Sequence, residues 1–323
     1  MLIVKRRSIP LRILIDEALL RRLPLNHPKR AEILQDLLIR RAGLKGEQDL
    51  DYHINLLHET DFHIFQSIRL PYGKNFFQID FLLLSPKFIL LIEAKNMPGI
   101  IEFEPVLGQV IRTYNEKVET YEDPLLQVKR QREQLRRWLQ DHHFPSIPIE
   151  FIAAYSNSAT TLRNSTSDRE VYERVCKAGK LVFKIEEYKQ KYSHNFLTDK
   201  EFKKISKQIL KSHIPEGSHL HLFNIGRSDI LPGVSCPSCH HIPMKRVSAN
   251  WLCTSCGATS KDAHHQAVAD YFLLVSPTIS TKQFKEFLFF PTRKMAADAI
   301  GKMGLKPIGG KRNRVYIRPE STI

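Results

Sequence analysis

Apolar residues recur at helical spacing twice near the start of the chain, in RAEILQDLLIRRA (residues 30–42) and GEQDLDYHINLLHE (46–59), and predict two helices. Short extended runs follow, FHIFQSIRL, FFQIDFLLL and FILLIEAK, with further extended pieces at 100–103 and 109–114. In DPLLQVKRQREQLRRWLQDHH, Leu125, Val128, Leu135, Trp138 and Leu139 mark the apolar side of a helix. Asp123 suits its N-cap and Pro124 its first position. IEFIAAYSN and KLVFKI read as strands. The order helix, strands, helix, strand predicts an α/β unit that ends near residue 192. Residues 196–217 read as a polar, Lys-rich connecting helix, and the composition changes again from Leu231.

Within these runs, QIDFLLLSPKFILLIEAKN (78–96) is apolar on both faces of its two strands, which predicts a central position in a sheet, yet it carries Asp80, Glu93 and Lys95. The break at Ser85, Pro86 and Lys87 makes it a hairpin, and no apolar run in the chain approaches the roughly 20 residues a membrane span requires. Pro86 suits the second position of a type I turn. A turn centred on Pro86 and Lys87 puts Leu84 opposite Ile89. The same register carries Asp80 opposite Glu93, with Cβ atoms roughly 4.5–5.5 Å apart. Lys95 shares the face of Glu93 because strand side chains alternate with period two. A three-residue loop would instead put the two carboxylates on opposite faces.

Carboxylates that close repel unless one is protonated or a cation lies between them. Oxygen ligands suit a hard divalent ion, Mg2+ or Mn2+. Such an ion binds a scissile phosphate and acidifies a bound water. Lys95 could then orient or deprotonate that water, or meet the charge developing in the transition state. The competing reading is a structural Glu–Lys pair at a strand end, with Asp80 marking a sheet edge.

At these residues the chain resembles the PD-(D/E)XK nucleases, and its surroundings resemble their nuclease-related domain, the NERD family. The matching pieces are KGEQDLDYHI with Glu47, FFQIDFLLL with Asp80, LLIEAKN with Glu93 and Lys95, Gln109 in GQV, and DPLLQVKRQREQL, about a third of the chain in all. The resemblance implies a restriction-endonuclease-like αβββαβ core in which Asp80 and Glu93 bind Mg2+ and Lys95 assists the attacking water. Glu47 would be an additional acidic contributor and Gln109 a substrate-contacting or site-shaping residue. Asp123 stands where the family more often has Asn; both cap helices.

Farther on, Cys236, Cys239, Cys253 and Cys256 form a C-x2-C-x13-C-x2-C arrangement. Each pair suits a tight knuckle, and the spacer suffices for a hairpin that joins them in a tetrahedral site for structural Zn2+, a zinc ribbon. His240 and His241 are expected to be exposed, and Cys176 to be a packed apolar residue. Three helical segments and a basic tail follow and resemble a helix-turn-helix unit with a wing. The expected divisions are a helical extension at 1–39, the nuclease-like domain at 40–195, a helical linker at 196–230, the ribbon at 231–260 and the winged-helix-like unit at 261–323.

The charge balance, 49 basic against 34 acidic residues, favours a polyanionic partner. Lys129, Arg130, Arg293, Lys294, Lys311, Arg312 and Arg314 are the candidate phosphate contacts. The sequence thus predicts a cytoplasmic, Mg2+-dependent nuclease acting on DNA. The alternatives are a non-catalytic DNA-binding or regulatory protein on the same scaffold, or a nuclease directed at RNA.

Overall fold

The apolar runs read as strands associate because neither of their faces can be left to water. In the computed structural model, which describes residues 2–57, 62–217, 220–310 and 313–318, the chain divides into two units. One comprises Met1–Ser8 and Arg41–Glu216, the other Ile9–Arg40 and Gly217–Ile323. The elements in chain order are β1 (Leu2–Lys5), α1 (Leu11–Arg22), α2 (Arg30–Ile54), β2 (His63–Tyr72), β3 (Asn75–Leu84), β4 (Ile89–Lys95), β5 (Gly99–Glu104), β6 (Gln109–Tyr114) and β7 (Lys117–Glu122). After these come α3 (Pro124–Asp141), β8 (Ile149–Tyr155), β9 (Thr160–Arg163), α4 (Arg169–Arg174), β10 (Val175–Lys177), α5 (Leu181–Lys191) and α6 (Asp199–Lys211). The remainder holds β11 (Lys245–Val247), β12 (Asn250–Leu252), β13 (Thr259–Ser260), α7 (His264–Leu274), β14 (Thr278–Ser280), α8 (Thr281–Leu288), α9 (Arg293–Lys302), β15 (Lys306–Ile308) and β16 (Val315–Ile317).

The first unit is built on a six-stranded sheet of order β1-β2-β3-β4-β8-β10. β2, β3 and β4 run antiparallel, whereas β4, β8 and β10 run parallel. One face packs under Leu125, Val128, Leu135 and Trp138 of α3, joined by Ile205 and Ile209 of α6, so α6 is part of this core rather than a bare connector. The other face packs against Leu50 and Ile54 of α2 and Leu181 and Ile185 of α5. A second sheet, β7-β6-β5-β9, flanks the first.

Two local expectations are revised. Residues 30–54 form one continuous helix instead of two. Gly46 lies inside it because a Cβ there would come within 2.5 Å of Asn96 Cβ, so the helix passes close to the end of β4. KLVFKI is helical, not extended: Leu181, Ile185 and Tyr188 are buried at a spacing of one helical turn. A short apolar run does not separate these alternatives by itself.

In the second unit, α1 packs Ile15, Ala18 and Leu19 against Phe223, Ile230 and Leu274. Cys236, Cys253 and Trp251 share a core with Phe284 of α8, Ile300 of α9 and Phe290 between those helices. Ser280 and Gln283 form the capping box of α8, each side chain bonded to the other residue's backbone N–H. β14, β16 and β15 make a small antiparallel sheet beside these helices. Among the described residues, no helix is long and apolar enough to cross a membrane.

Candidate active site

The β3–β4 register follows from the turn: Leu84 lies opposite Ile89 and Phe81 opposite Ile92. Ser85 N–H donates to the Phe88 carbonyl at 3.1 Å, which fixes the hydrogen-bonded rungs at alternate positions from there. By that phase Ala94 N–H would next bond to the Ile79 carbonyl. It donates instead to Asp80 Oδ2 at 3.0 Å. The ladder therefore ends in a side chain, and Asp80 is held against β4 beside Glu93.

A reversal in β2 and β3 sets this up. Phe65, Ile68 and Leu70 of β2 enter the same core, as do Leu82, Ile79 and Phe77 of β3, so the side-chain alternation flips between these positions on both strands. Ser67, with φ 48°, sits at the flip opposite Asp80. Lys5 Nζ clamps the bend by donating to the Gln66 and Ser67 carbonyls at 2.8 and 3.1 Å. Burial and the neighbouring Arg7 lower the Lys5 ammonium to about 8.

Glu93 is 3 % exposed. Lys95 Nζ donates to Glu93 Oε1 and to Gln127 Oε1, both at 2.8 Å, and Gln131 Nε2 donates to Glu93 Oε2 at 3.0 Å. Gln127 and Gln131 are one turn apart on α3, so a single helix face orients both the carboxylate and the ammonium. Asp80 is half-buried. Burial first, then the Glu93 and Glu47 carboxylates, push it well above its ordinary 3.8, against the pull of the Ala94 N–H and Lys95. Asp80 Oδ1 has no hydrogen-bond partner among the described residues. Oxygen donors with one Asp80 oxygen free are of the kind that suits a hard divalent cation, and Asp80 and Glu93 are the residues here that could hold one.

Glu47 is engaged elsewhere. Its Oε2 accepts from Arg7 Nε at 2.6 Å and from the Ser67 hydroxyl at 2.8 Å, and the same guanidinium bonds Asp51 Oδ2 at 2.7 Å. Glu47 thus touches the Asp80 rung through Ser67 and acts on Asp80 by charge. Gln109 opens β6 in the second sheet, where its amide donates to Glu104 Oε2 at 2.5 Å; no bond joins it to the trio. Asp123 caps α3 by accepting from Leu125 N–H at 2.8 Å.

Sequence reasoning did not single out Arg7, Ser67, Gln127, Gln131 or Tyr155. The two glutamines carried a signal, being spaced one turn apart along the apolar side of α3. Tyr155 lies opposite Lys95 on β8, and its hydroxyl, like Gln131 Oε1, is buried without a partner among the described residues. Burial, then Asp123 and Glu93, push its phenol far up, so it stays protonated.

The four cysteines form a separate candidate centre. Cys236 Sγ lies 3.7 Å from Cys256 Sγ and Cys239 Sγ 3.5 Å from Cys253 Sγ. All four sulfurs lie within 4.8 Å of one another, a grouping unique among the described residues. Tetrahedral Zn–S bonds of about 2.3 Å require S···S separations of about 3.8 Å. Two matching turns build it. Cys236 N–H bonds the His241 carbonyl and Cys253 N–H the Ala258 carbonyl, while His240 and Gly257 N–H return to the Cys236 and Cys253 carbonyls. The fifth position of each turn needs positive φ, 60° at His240 and 75° at Gly257. His240 and His241 are exposed. Cys176 is buried, and burial raises its thiol to about 12.

Of the basic candidates, Lys129 pairs with Glu170, and Arg130 forms a two-pronged pair with Glu122 at 2.6 and 2.7 Å. Arg293 and Lys294 open α9 and Arg314 precedes β16; all three are exposed, with no ion pair among the described residues. Lys311 and Arg312 lie outside the described residues.

No curated protein and no solved structure matches the chain. Residues 42–156, the segment that contributes Glu47, Asp80, Glu93, Lys95, Gln127 and Gln131, match the family model of the nuclease-related domain, NERD, and a four-cysteine cluster able to hold a metal such as zinc follows that segment.

Proposed function

We propose that the chain is a metal-dependent nuclease that hydrolyses phosphodiester bonds in DNA. The observation that carries this reading is the meeting of Asp80, in the middle of β3, with Glu93 and Lys95 at the end of β4, with the Asp80 carboxyl driven toward protonation by burial and its neighbours. The succession α2, β2–β4, α3, β8 supports a restriction-endonuclease-like αβββαβ core, with β5–β7 inserted.

In this reading Asp80 and Glu93 bind Mg2+ or Mn2+, which when bound neutralises a scissile phosphate and acidifies an attacking water. Gln131 fixes the Glu93 carboxylate, and Gln127 holds the Lys95 ammonium where it can orient that water or meet developing charge. Glu47, paired with Arg7, adds negative field at Asp80. The cysteine site holds structural Zn2+. The C-terminal unit, winged-helix-like in its three helices and three strands, presents Arg293, Lys294 and Arg314 to the DNA backbone.

A second reading, a non-catalytic DNA-binding or regulatory protein, draws on the saturation of Glu93 by Lys95 and Gln131. The two separate when plasmid, linear duplex, single-stranded DNA and RNA are incubated with the protein in Mg2+ or EDTA. Cleavage is expected only with Mg2+, preferentially of DNA, and to fall by about 100-fold or more in Asp80→Ala and Lys95→Ala. Cleavage unchanged in both variants would overturn the site, and salt-sensitive binding without cleavage would favour the second reading.

A further inference from the structure

The parallel strands of the main sheet carry the candidate centre sideways to an open edge. Their register aligns Glu93 with Ala153 and Val175, and Lys95 with Tyr155 and Lys177. Two strand spacings, about 10 Å, therefore separate β4 from β10 at this level. Ligands of parallel sheets bind beyond the carboxyl ends of the strands. β10 is the edge strand, and a cleft of about 730 Å3 opens beside it.

The floor of this cleft is apolar, formed by Phe103, Leu162, Val171 and Val175. Its rim is not what a resting surface requires. Tyr172 of α4 is 61 % exposed and Phe183 of α5 is 71 % exposed, and neither ring packs on another ring among the described residues. Arg163 and Lys180, also exposed on the lining, make no ion pair or side-chain hydrogen bond among the described residues. The other two lining cations are structural. Lys177 Nζ donates to the Ser158 and Thr160 carbonyls at 2.8 and 2.7 Å, and Lys184 Nζ ties the walls by donating to the Tyr172 carbonyl at 3.3 Å. Glu187 is the one acidic residue of the lining.

Flat apolar rings beside unpaired cations complement a ligand with aromatic faces and regularly spaced anions. We propose that this cleft holds unpaired nucleotides of a single-stranded polynucleotide, with bases stacked on Tyr172 and Phe183 and phosphates on Arg163 and Lys180. Stacking is sequence-tolerant because every base has a π-face. The proposal deepens the nuclease reading and rests on it for one consequence: a strand seated here passes the candidate centre within a nucleotide or two, so the substrate has a single-stranded segment. A duplex, with its bases stacked internally, cannot offer those faces.

Fluorescence anisotropy of the zinc-loaded full chain, without added Mg2+, tests this with oligothymidylate, oligouridylate and a duplex. Tyr172→Ala and Phe183→Ala are each expected to weaken single-strand binding about fivefold or more, while Phe183→Trp retains it. Arg163→Ser and Lys180→Ser should each reduce the slope of log affinity against log salt by about 0.7. The DNA and RNA oligomers distinguish the source of the strand. Unchanged single-strand binding in both aromatic variants, or equal weakening of duplex binding, overturns the proposal. If the wild type cleaves DNA while those variants bind normally, the cleft fails and the nuclease reading stands. If the variants lose binding in a chain that cleaves nothing, the cleft stands and the nuclease reading fails.

Discussion

The four-cysteine centre and the Asp80–Glu93–Lys95 centre are opposite solutions to gathering charge. The cysteines are brought together by two short turns of the same design, each closed by its own backbone bonds, with Ser238 N–H on Cys236 Sγ at 3.4 Å and sulfur facing sulfur between the turns. The carboxylates come from β3, β4 and α2; Lys95 and Gln131 occupy both Glu93 oxygens, the Ala94 N–H one Asp80 oxygen, and Arg7 with Ser67 one Glu47 oxygen. The first arrangement leaves four sulfurs facing one another, able to hold a metal such as zinc. The second is largely paired within the protein, except at Asp80, where burial and like charge outweigh the Ala94 N–H and Lys95. The two centres differ in where the unsatisfied charge is left.

The largest effect should come from breaking the cysteine side. Stripping the metal with a strong chelator, or Cys253→Ser, is expected to remove about 10 kcal/mol of apparent binding energy and unfold the knuckles. Loss of hydrogen-exchange protection around buried Trp251 and release of zinc would register it; full protection in the stripped protein would contradict it. Next comes Arg7→Ala. Arg7 is 5 % exposed and neutralises Glu47 and Asp51, so its removal should cost about 3 kcal/mol by urea denaturation. A change under about 1 kcal/mol would show that Ser67 and Gln66 suffice. Gln131→Ala should leave the fold intact but lower Mg2+-dependent activity about tenfold, since it frees one Glu93 oxygen from its orientation. A loss of stability without a change in activity would make Gln131 a packing residue. Smallest is Tyr155→Phe, which deletes a hydroxyl without a partner and should shift stability by less than about 1 kcal/mol.

The same contrast explains what the sequence made legible. The cysteine spacing encodes its site completely, because each knuckle is local. The β3–β4 hairpin was nearly as readable, since Pro86 selects the turn and the turn selects the register, which runs to Phe81 opposite Ile92 and leaves the next residue, Asp80, bonded to the Ala94 N–H. Beyond the hairpin, local pattern carried little. Arg7 is forty residues from Glu47 in the chain and meets it only after β1 joins the sheet edge. Ser67 adopts a left-handed conformation that its residue type does not announce. Gln109 looked adjacent to the site, but β5–β7 form a sheet of their own and carry it to Glu104. β7, polar and exposed throughout, offers no apolar period by which to find it. KLVFKI was ambiguous because four apolar residues in six satisfy a strand or a helix equally well.

In the proposed reading, Asp80 and Glu93 form a carboxylate pair waiting for a cation. Because the folded-state pKa of Asp80 lies above its ordinary value, its contribution to stability is full at low pH, below the unfolded-state value near 3.8, and is lost as pH rises through the folded-state value. The direct measurement is the thermal stability of the zinc-loaded protein from pH 4 to about pH 9, wild type against Asp80→Asn, with and without Mg2+. The wild type should lose stability relative to the variant as pH rises, and Mg2+ should restore it in the wild type alone. Superimposable pH profiles, or an equal Mg2+ effect on both proteins, would contradict the account.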